Sequence, residues 1–159
     1  METDRIIVHE EVAERFLESI KASLARAATD GSALPAVVNM AAKSRLQKTL
    51  SEAIASGAAV VCGIERQDEM PGTSTVPTIL TDVDASATLW TEENFGPIVA
   101  ITTVRSDEEA VQIVNSSTYG LSASIFTKDL RKGLALAKRI QSGWVLILLT
   151  SSFAMTTKD

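Results

Sequence analysis

The chain has 159 residues, 15 Lys and Arg against 20 Asp and Glu for a net charge of −5, and 45% hydrophobic residues. That length suits one domain, and an acidic balance without a basic patch excludes the usual nucleic-acid-binding surface. The single cysteine, Cys62, excludes a disulfide framework and points to a reducing, cytoplasmic setting, while no apolar run approaches the ~18 residues of a membrane span.

Only four residues precede Ile6-Ile7-Val8, which reads as a short buried strand. A helix from Glu10 to Ala27 comes next, because Val12, Phe16, Ile20 and Leu24 recur every four residues and make one apolar stripe. Asp30-Gly31-Ser32 supplies its stop. After a loop with Pro35, a second helix runs from Ala41 to Ser56 on the stripe Leu46, Leu50, Ala53 and Ile54, closed by Gly57. Ala58 to Cys62 reads as a buried strand ending at Gly63. Residues 65–74 are polar and carry Pro71-Gly72, the composition of a surface loop. Val76 to Leu80 reads as a short strand that its internal Pro77 assigns to a sheet edge.

Pro97 to Val104 (PIVAITTV) is a strong strand. Ser106 and Glu109 have capping-box spacing before a helix bearing Ala110, Val111 and Val114. Leu121 to Phe126 is the next strand. Asp129 caps a helix with the stripe Leu130, Leu134 and Ala137, closed by Gly143, and Trp144 to Leu149 is the last strand. The basic pairs Arg131-Lys132 and Lys138-Arg139 on this helix read as a solvated face. Repeated strand–helix–strand units predict an α/β fold: three layers, a mostly parallel sheet with helices on both faces. Residues 1–149 form the expected domain, and 150–159 have no periodicity and read as a loose tail.

Chemistry-bearing residues are few. His9 lies between a strand and a helix, where capping or a surface role is expected. Cys62, in an apolar strand, reads as a small hydrophobe rather than a nucleophile. Asn115-Ser116-Ser117 matches a glycosylation sequon by chance, since no signal peptide precedes it. No His, Cys, Asp or Glu cluster has metal-ligand spacing, and no glycine-rich phosphate loop is present. The remaining stretch is Trp90-Thr91-Glu92-Glu93-Asn94-Phe95-Gly96-Pro97: two carboxylates beside an aromatic, then a Gly-Pro turn into a strand.

This stretch resembles the E-x-F-G-P signature of the aldehyde dehydrogenase superfamily. Downstream, Asn115 to Leu121, Ala123 to Asp129 (ASIFTKD) and Ser142-Gly143-Trp144-Val145 are similar to the family's segments C-terminal to that signature, in the same order and spacing. Upstream, RIIVHEEVAERFLE, Pro35 to Asn39 and GAAVVCG also resemble it, so the likeness runs from Met1 to about Val145. Within the family the chain most resembles the salicylaldehyde or vanillin dehydrogenase type. The resemblance implies the fold of the catalytic domain and, for the full-length family, NAD- or NADP-dependent oxidation of an aromatic aldehyde to a carboxylic acid. There a cysteine thiolate attacks, a glutamate is the general base, and subunits assemble through a hairpin arm.

Carried over residue by residue, the resemblance assigns Glu93 to the hydroxyls of the nicotinamide ribose and Phe95 to the ribose and ring. The family's nucleophile lies five residues before the arginine matched by Arg5, one position ahead of Met1. No catalytic residue is therefore expected in this chain, and no cofactor is expected to bind it alone with useful affinity. After Val145 the family places an asparagine where Ile147 or a neighbouring leucine stands. The expected function is that of a truncated aldehyde dehydrogenase-like protein without independent oxidation. The alternatives are a repurposed small-molecule-binding or non-redox enzyme domain, in which Glu92, Glu93 or His9 does acid–base work, and a self-associating domain. The expected partners are a second copy of the chain and a small aromatic aldehyde or related molecule, with neither nucleic acid nor membrane.

Overall fold

The computed structural model describes residues 3–29, 35–63, 70–84 and 86–150. The expected stop at Gly31, most of the 65–74 loop and the tail beyond residue 150 lie outside them. The chain divides into two compact units, Met1–Thr103 and Val104–Asp159.

The first unit contains β1 (Arg5–His9), α1 (Glu10–Thr29), α2 (Met40–Ala55), β2 (Ala59–Cys62), β3 (Thr78–Thr81), α3 (Thr88–Thr91) and all but the last residue of β4 (Ile98–Val104). Its four strands form one sheet in the order β1-β4-β3-β2. β3 and β4 are parallel, in register from Thr78 opposite Ile98 to Thr81 opposite Ile101. β2 runs antiparallel to β3, with an irregularity between Val60 and Cys62. The stripes read from sequence face inward: Phe16 and Ile20 of α1, and Leu46, Leu50 and Ala53 of α2, are buried with Ile79, Leu80, Ile98, Ala100 and Ile101 of the central strands. Helix α2 is started by Asn39, whose side chain accepts from the Ala42 N–H.

Two strand assignments change. β3 is interior rather than an edge: it lies between β2 and β4, and Thr78, Ile79 and Leu80 are buried. Pro77 ends before the strand begins, so the ladder donor at that point is the Thr78 N–H, which bonds to Pro97 O at 2.8 Å. β2, expected to be buried, is the edge strand; Ala59 and Val60 are exposed, and Val61 and Cys62 half-buried. A continuous apolar run looks the same on an edge as in a centre, because only neighbours distinguish them.

The second unit contains α4 (Asp107–Asn115), β5 (Ser122–Thr127), α5 (Leu130–Ala137) and β6 (Trp144–Leu149). β5 and β6 pair in parallel from Ser122 opposite Trp144 to Thr127 opposite Leu149. The crossover is α5, which lies so close to the pair that a Cβ on Gly133 would meet the Thr127 and Ile147 methyls at 3.0 and 2.9 Å. Both expected caps form. Ser106 accepts from the Glu109 N–H at 3.2 Å, and Asp129 accepts from the N–H groups of Arg131 and Lys132. Parallel-dominated sheets with crossover helices give the expected α/β class. Among the described residues no helix is long and apolar enough to cross a membrane.

Leu80 has no exposed surface and sits on the strand between β2 and β4. Leu80→Ala should cost roughly 2–5 kcal/mol, read as a lower urea midpoint with unchanged m; a loss below about 1 kcal/mol would mean that this strand is not the core.

Candidate functional site

Trp90–Pro97 forms an anchored turn between α3 and β4. Its apolar root is Leu89 and Trp90, both buried. The Arg5 guanidinium lies 5.8 Å from the centroid of the Trp90 ring and donates to Glu92 O at 3.2 Å. Asp4, one residue earlier, accepts from the Asn94 N–H at 3.4 Å through its carboxylate, while its own carbonyl accepts from the Ala100 N–H at 3.0 Å. The chain entering β1 thus grips the turn and β4 together.

From the other side, Arg45 of α2 donates to the main-chain carbonyls of Glu93, at 3.3 Å from each terminal nitrogen, and of Asn94, at 3.2 Å. The Asn94 side chain is buried and donates to Leu89 O at 3.2 Å, closing the turn on its own helix. Phe95 then takes φ of +46°, in the left-handed region, which costs a non-glycine residue about 1–2 kcal/mol. Gly96 comes next, against Leu46; a Cβ there would run into the Leu46 Cδ1 methyl. The Pro97 carbonyl hands the chain to the start of β3.

These contacts leave the two sequence-assigned residues on offer. Glu93 is half-buried, and among the described residues no hydrogen bond or ion pair engages its carboxylate. Phe95 is 70% exposed although its backbone is fixed. An acceptor-only carboxylate on a pinned main chain suits a vicinal diol, which presents two O–H donors. An exposed ring beside it suits a flat or furanose partner. A cleft of about 250 Å³ opens next to the turn, lined by Thr3, Leu24, Ile79, Gly96, Pro97 and neighbouring residues.

The other candidates fall elsewhere. The Glu92 carboxylate points to Arg45 as an exposed ion pair at 3.8 Å. His9 Nδ1 accepts from the Glu11 N–H at 3.4 Å, a cap at the start of α1. Ile147 is a half-buried β6 residue against Gly133. Among the described residues no three His, Cys, Asp or Glu side chains converge as a metal site. Sequence reasoning did not find Arg45 or Asp4. Their only signal was an acid and a base far along the chain from the turn, which no local pattern connects to it.

The profile of the aldehyde dehydrogenase family matches residues 1–157. Vanillin dehydrogenase of Pseudomonas fluorescens is 37% identical over 148 residues, covering 90% of this chain and 30% of that enzyme. Among solved structures, succinate-semialdehyde dehydrogenase from Burkholderia pseudomallei superposes with a TM-score of 0.82 at 28% identity, over 96% of this chain and 33% of the other. A NAD-dependent benzaldehyde dehydrogenase from Corynebacterium glutamicum gives 0.80 at 27% identity, over 90% of this chain and 31% of the other. The chain spans about a third of the length of the relatives it matches.

Cys62 bears on what the 159 residues can do, being their one thiol. Burial pushes its pKa up, only partly offset by a main-chain hydrogen bond at Ile79 and the charge of Lys21. A raised thiol pKa favours the neutral form, so its contribution to folding is complete below the ordinary thiol range and is lost as pH rises through the folded value. Alkylation of native Cys62 by iodoacetamide should therefore follow a pH profile with its midpoint above that of the urea-unfolded chain. A native midpoint below the unfolded one would make Cys62 an activated thiolate and overturn its structural assignment.

Proposed function

This chain belongs to the aldehyde dehydrogenase family, and on that premise we propose that its Trp90–Pro97 turn is the nicotinamide-ribose half of an NAD(P) site. The carrying observation is the Glu93 carboxylate, unengaged among the described residues, on a turn held from both sides, next to the exposed, left-handed Phe95. The residues fit the group: Glu93 accepts the two ribose hydroxyls, and the Phe95 ring covers the sugar and the adjoining base. Bound there, the nicotinamide supplies the hydride acceptor for oxidation of an aldehyde to a carboxylic acid. The likeness to vanillin and benzaldehyde dehydrogenases favours an aromatic aldehyde as the substrate class.

This chain's own residues bind and orient in this reading; none attacks the carbonyl. Cys62 is held as a neutral thiol on β2, and Glu92 is paired with Arg45. The 159 residues assayed alone therefore do not turn over aldehyde. Contacts to one ribose by one carboxylate and one ring give weak, millimolar-range affinity. We place the chain in a reducing, cytoplasmic compartment, consistent with its one free cysteine. Self-association belongs to the same proposal: Trp144, Leu146 and Leu149 on β6 are exposed apolar surface of the kind that copies of a chain cover. Light scattering should give a mass above that of one chain, rising with concentration; a strict monomer at all concentrations would remove this part.

Incubation of the purified chain with vanillin or benzaldehyde and NAD or NADP should yield no reduced nicotinamide above the protein-free blank. Titration of the isotope-labelled chain with NAD, followed by amide NMR, should shift residues 92–96 selectively, and Glu93→Gln should raise the dissociation constant at least fivefold. Turnover by the wild-type chain, or NAD-induced shifts that avoid the turn, would defeat the reading.

A further inference from the structure

We infer that Arg45 is the positioning residue of this site, setting the Glu93 carboxylate and the Phe95 ring through their main chain. The inference rests on the proposed NAD(P) site and extends it to a residue outside the signature. The Arg45 guanidinium makes three donor contacts of 3.2–3.3 Å to two successive carbonyls, those of Glu93 and Asn94. A planar fork can satisfy two carbonyls at once, which a lysine ammonium on a flexible stem does less well.

The platform behind it is rigid. Arg45 belongs to α2, and its neighbours Leu46, Thr49 and Leu50 are buried in the core. The adjacent Leu46 is the side chain against which Gly96 is packed. Two consecutive α2 residues therefore hold the turn on either side of Phe95, one by hydrogen bonds to residues 93 and 94 and one by van der Waals contact at residue 96. A left-handed phenylalanine persists only where its surroundings over-determine it, and this pair, with Asp4 on the Asn94 N–H, does so. The ion pair to the Glu92 carboxylate is a lesser part: at 3.8 Å, with both side chains about half exposed, it is worth little. The main-chain contacts carry the effect.

The test uses the 159-residue chain and NAD itself. In Arg45→Met the free protein should show altered amide shifts at Glu93, Asn94 and Phe95, with the Phe95 amide–α coupling leaving its left-handed value, while residues of β3 and β4 keep theirs. NAD affinity should fall at least fivefold. Arg45→Gln, which retains one donor arm and no charge, should give an intermediate loss of both. If wild-type NAD shifts occur and Arg45→Met binds equally well, the positioning role is wrong while the site stands. If Arg45→Met or Arg45→Gln weakens binding only with loss of the β3 and β4 dispersion, the arginine is merely structural and the inference fails. If the wild-type chain shows no shifts at the turn, the cofactor reading fails, and the role assigned to Arg45 falls with it. Glu93→Gln separates the cases: it should lose affinity with the free turn unchanged, the reverse of the Arg45 signature.

Discussion

The geometry of the candidate site depends on hydrogen bonds from distant side chains to the main chain of one turn. Asp4 reaches Asn94 across 90 positions of sequence and Arg45 reaches Glu93 across 48. Holding residues in one conformation costs backbone entropy of about 1–2 kcal/mol each, and Phe95 adds the strain of a left-handed backbone. Hydrogen bonds between charged side chains and main-chain atoms offset part of these costs, each modestly because the contacts are 3.2–3.4 Å long and largely solvent-exposed. They do so without consuming the side chains that face outward. A carboxylate recruited to stabilise its own turn could not also receive a ligand; here Glu92 takes the ion pair, and among the described residues nothing engages the Glu93 carboxylate.

Preorganisation has a direct consequence for binding. A ligand that must order a loop spends part of its contact energy on the ordering, whereas one meeting a fixed turn does not. The single carboxylate and single ring offered here are too few for high affinity. In the proposed NAD(P) site, their fixed placement is what would decide where a ribose sits, the requirement for a hydride acceptor whose reacting carbon must lie at a set distance from its donor.

Much of this fold was legible because it is written in local periodicity. The four-residue stripe of α1, the Ser106 and Asp129 caps and the apolar run of β6 each need only neighbouring residues to be read. The errors came where rank within the sheet mattered: β2 and β3 exchanged edge and interior, and Pro77 misled because it stands just ahead of its strand. At the candidate site, the resemblance singled out Glu93 and Phe95, which the structure places on one turn as a half-buried carboxylate and an exposed ring. Arg45 was not singled out, because it acts on carbonyls, and every residue has one. Lys43 was missed in the same way: its buried ammonium donates to Met70 O and Gly72 O, acceptors with no side-chain identity to betray them.

The same physics gives each position of E-x-F-G-P in this chain a separate reason. In the proposed site Glu93 serves as an acceptor-only group and Phe95 as a ring carried on a strained, left-handed backbone. At Gly96 a Cβ would press on the Leu46 Cδ1 methyl, so any larger residue requires that buried side chain to shift. Pro97 contributes its carbonyl to the Thr78 N–H and opens β4, where its own missing donor is not called upon. The variable position is the one whose main chain is held from both sides, its N–H by Asp4 and its carbonyl by Arg45. A side chain there is free to differ as long as it fills the space, and Asn94 does so while satisfying Leu89 O. Contacts of this kind bind the backbone and leave side-chain identity open.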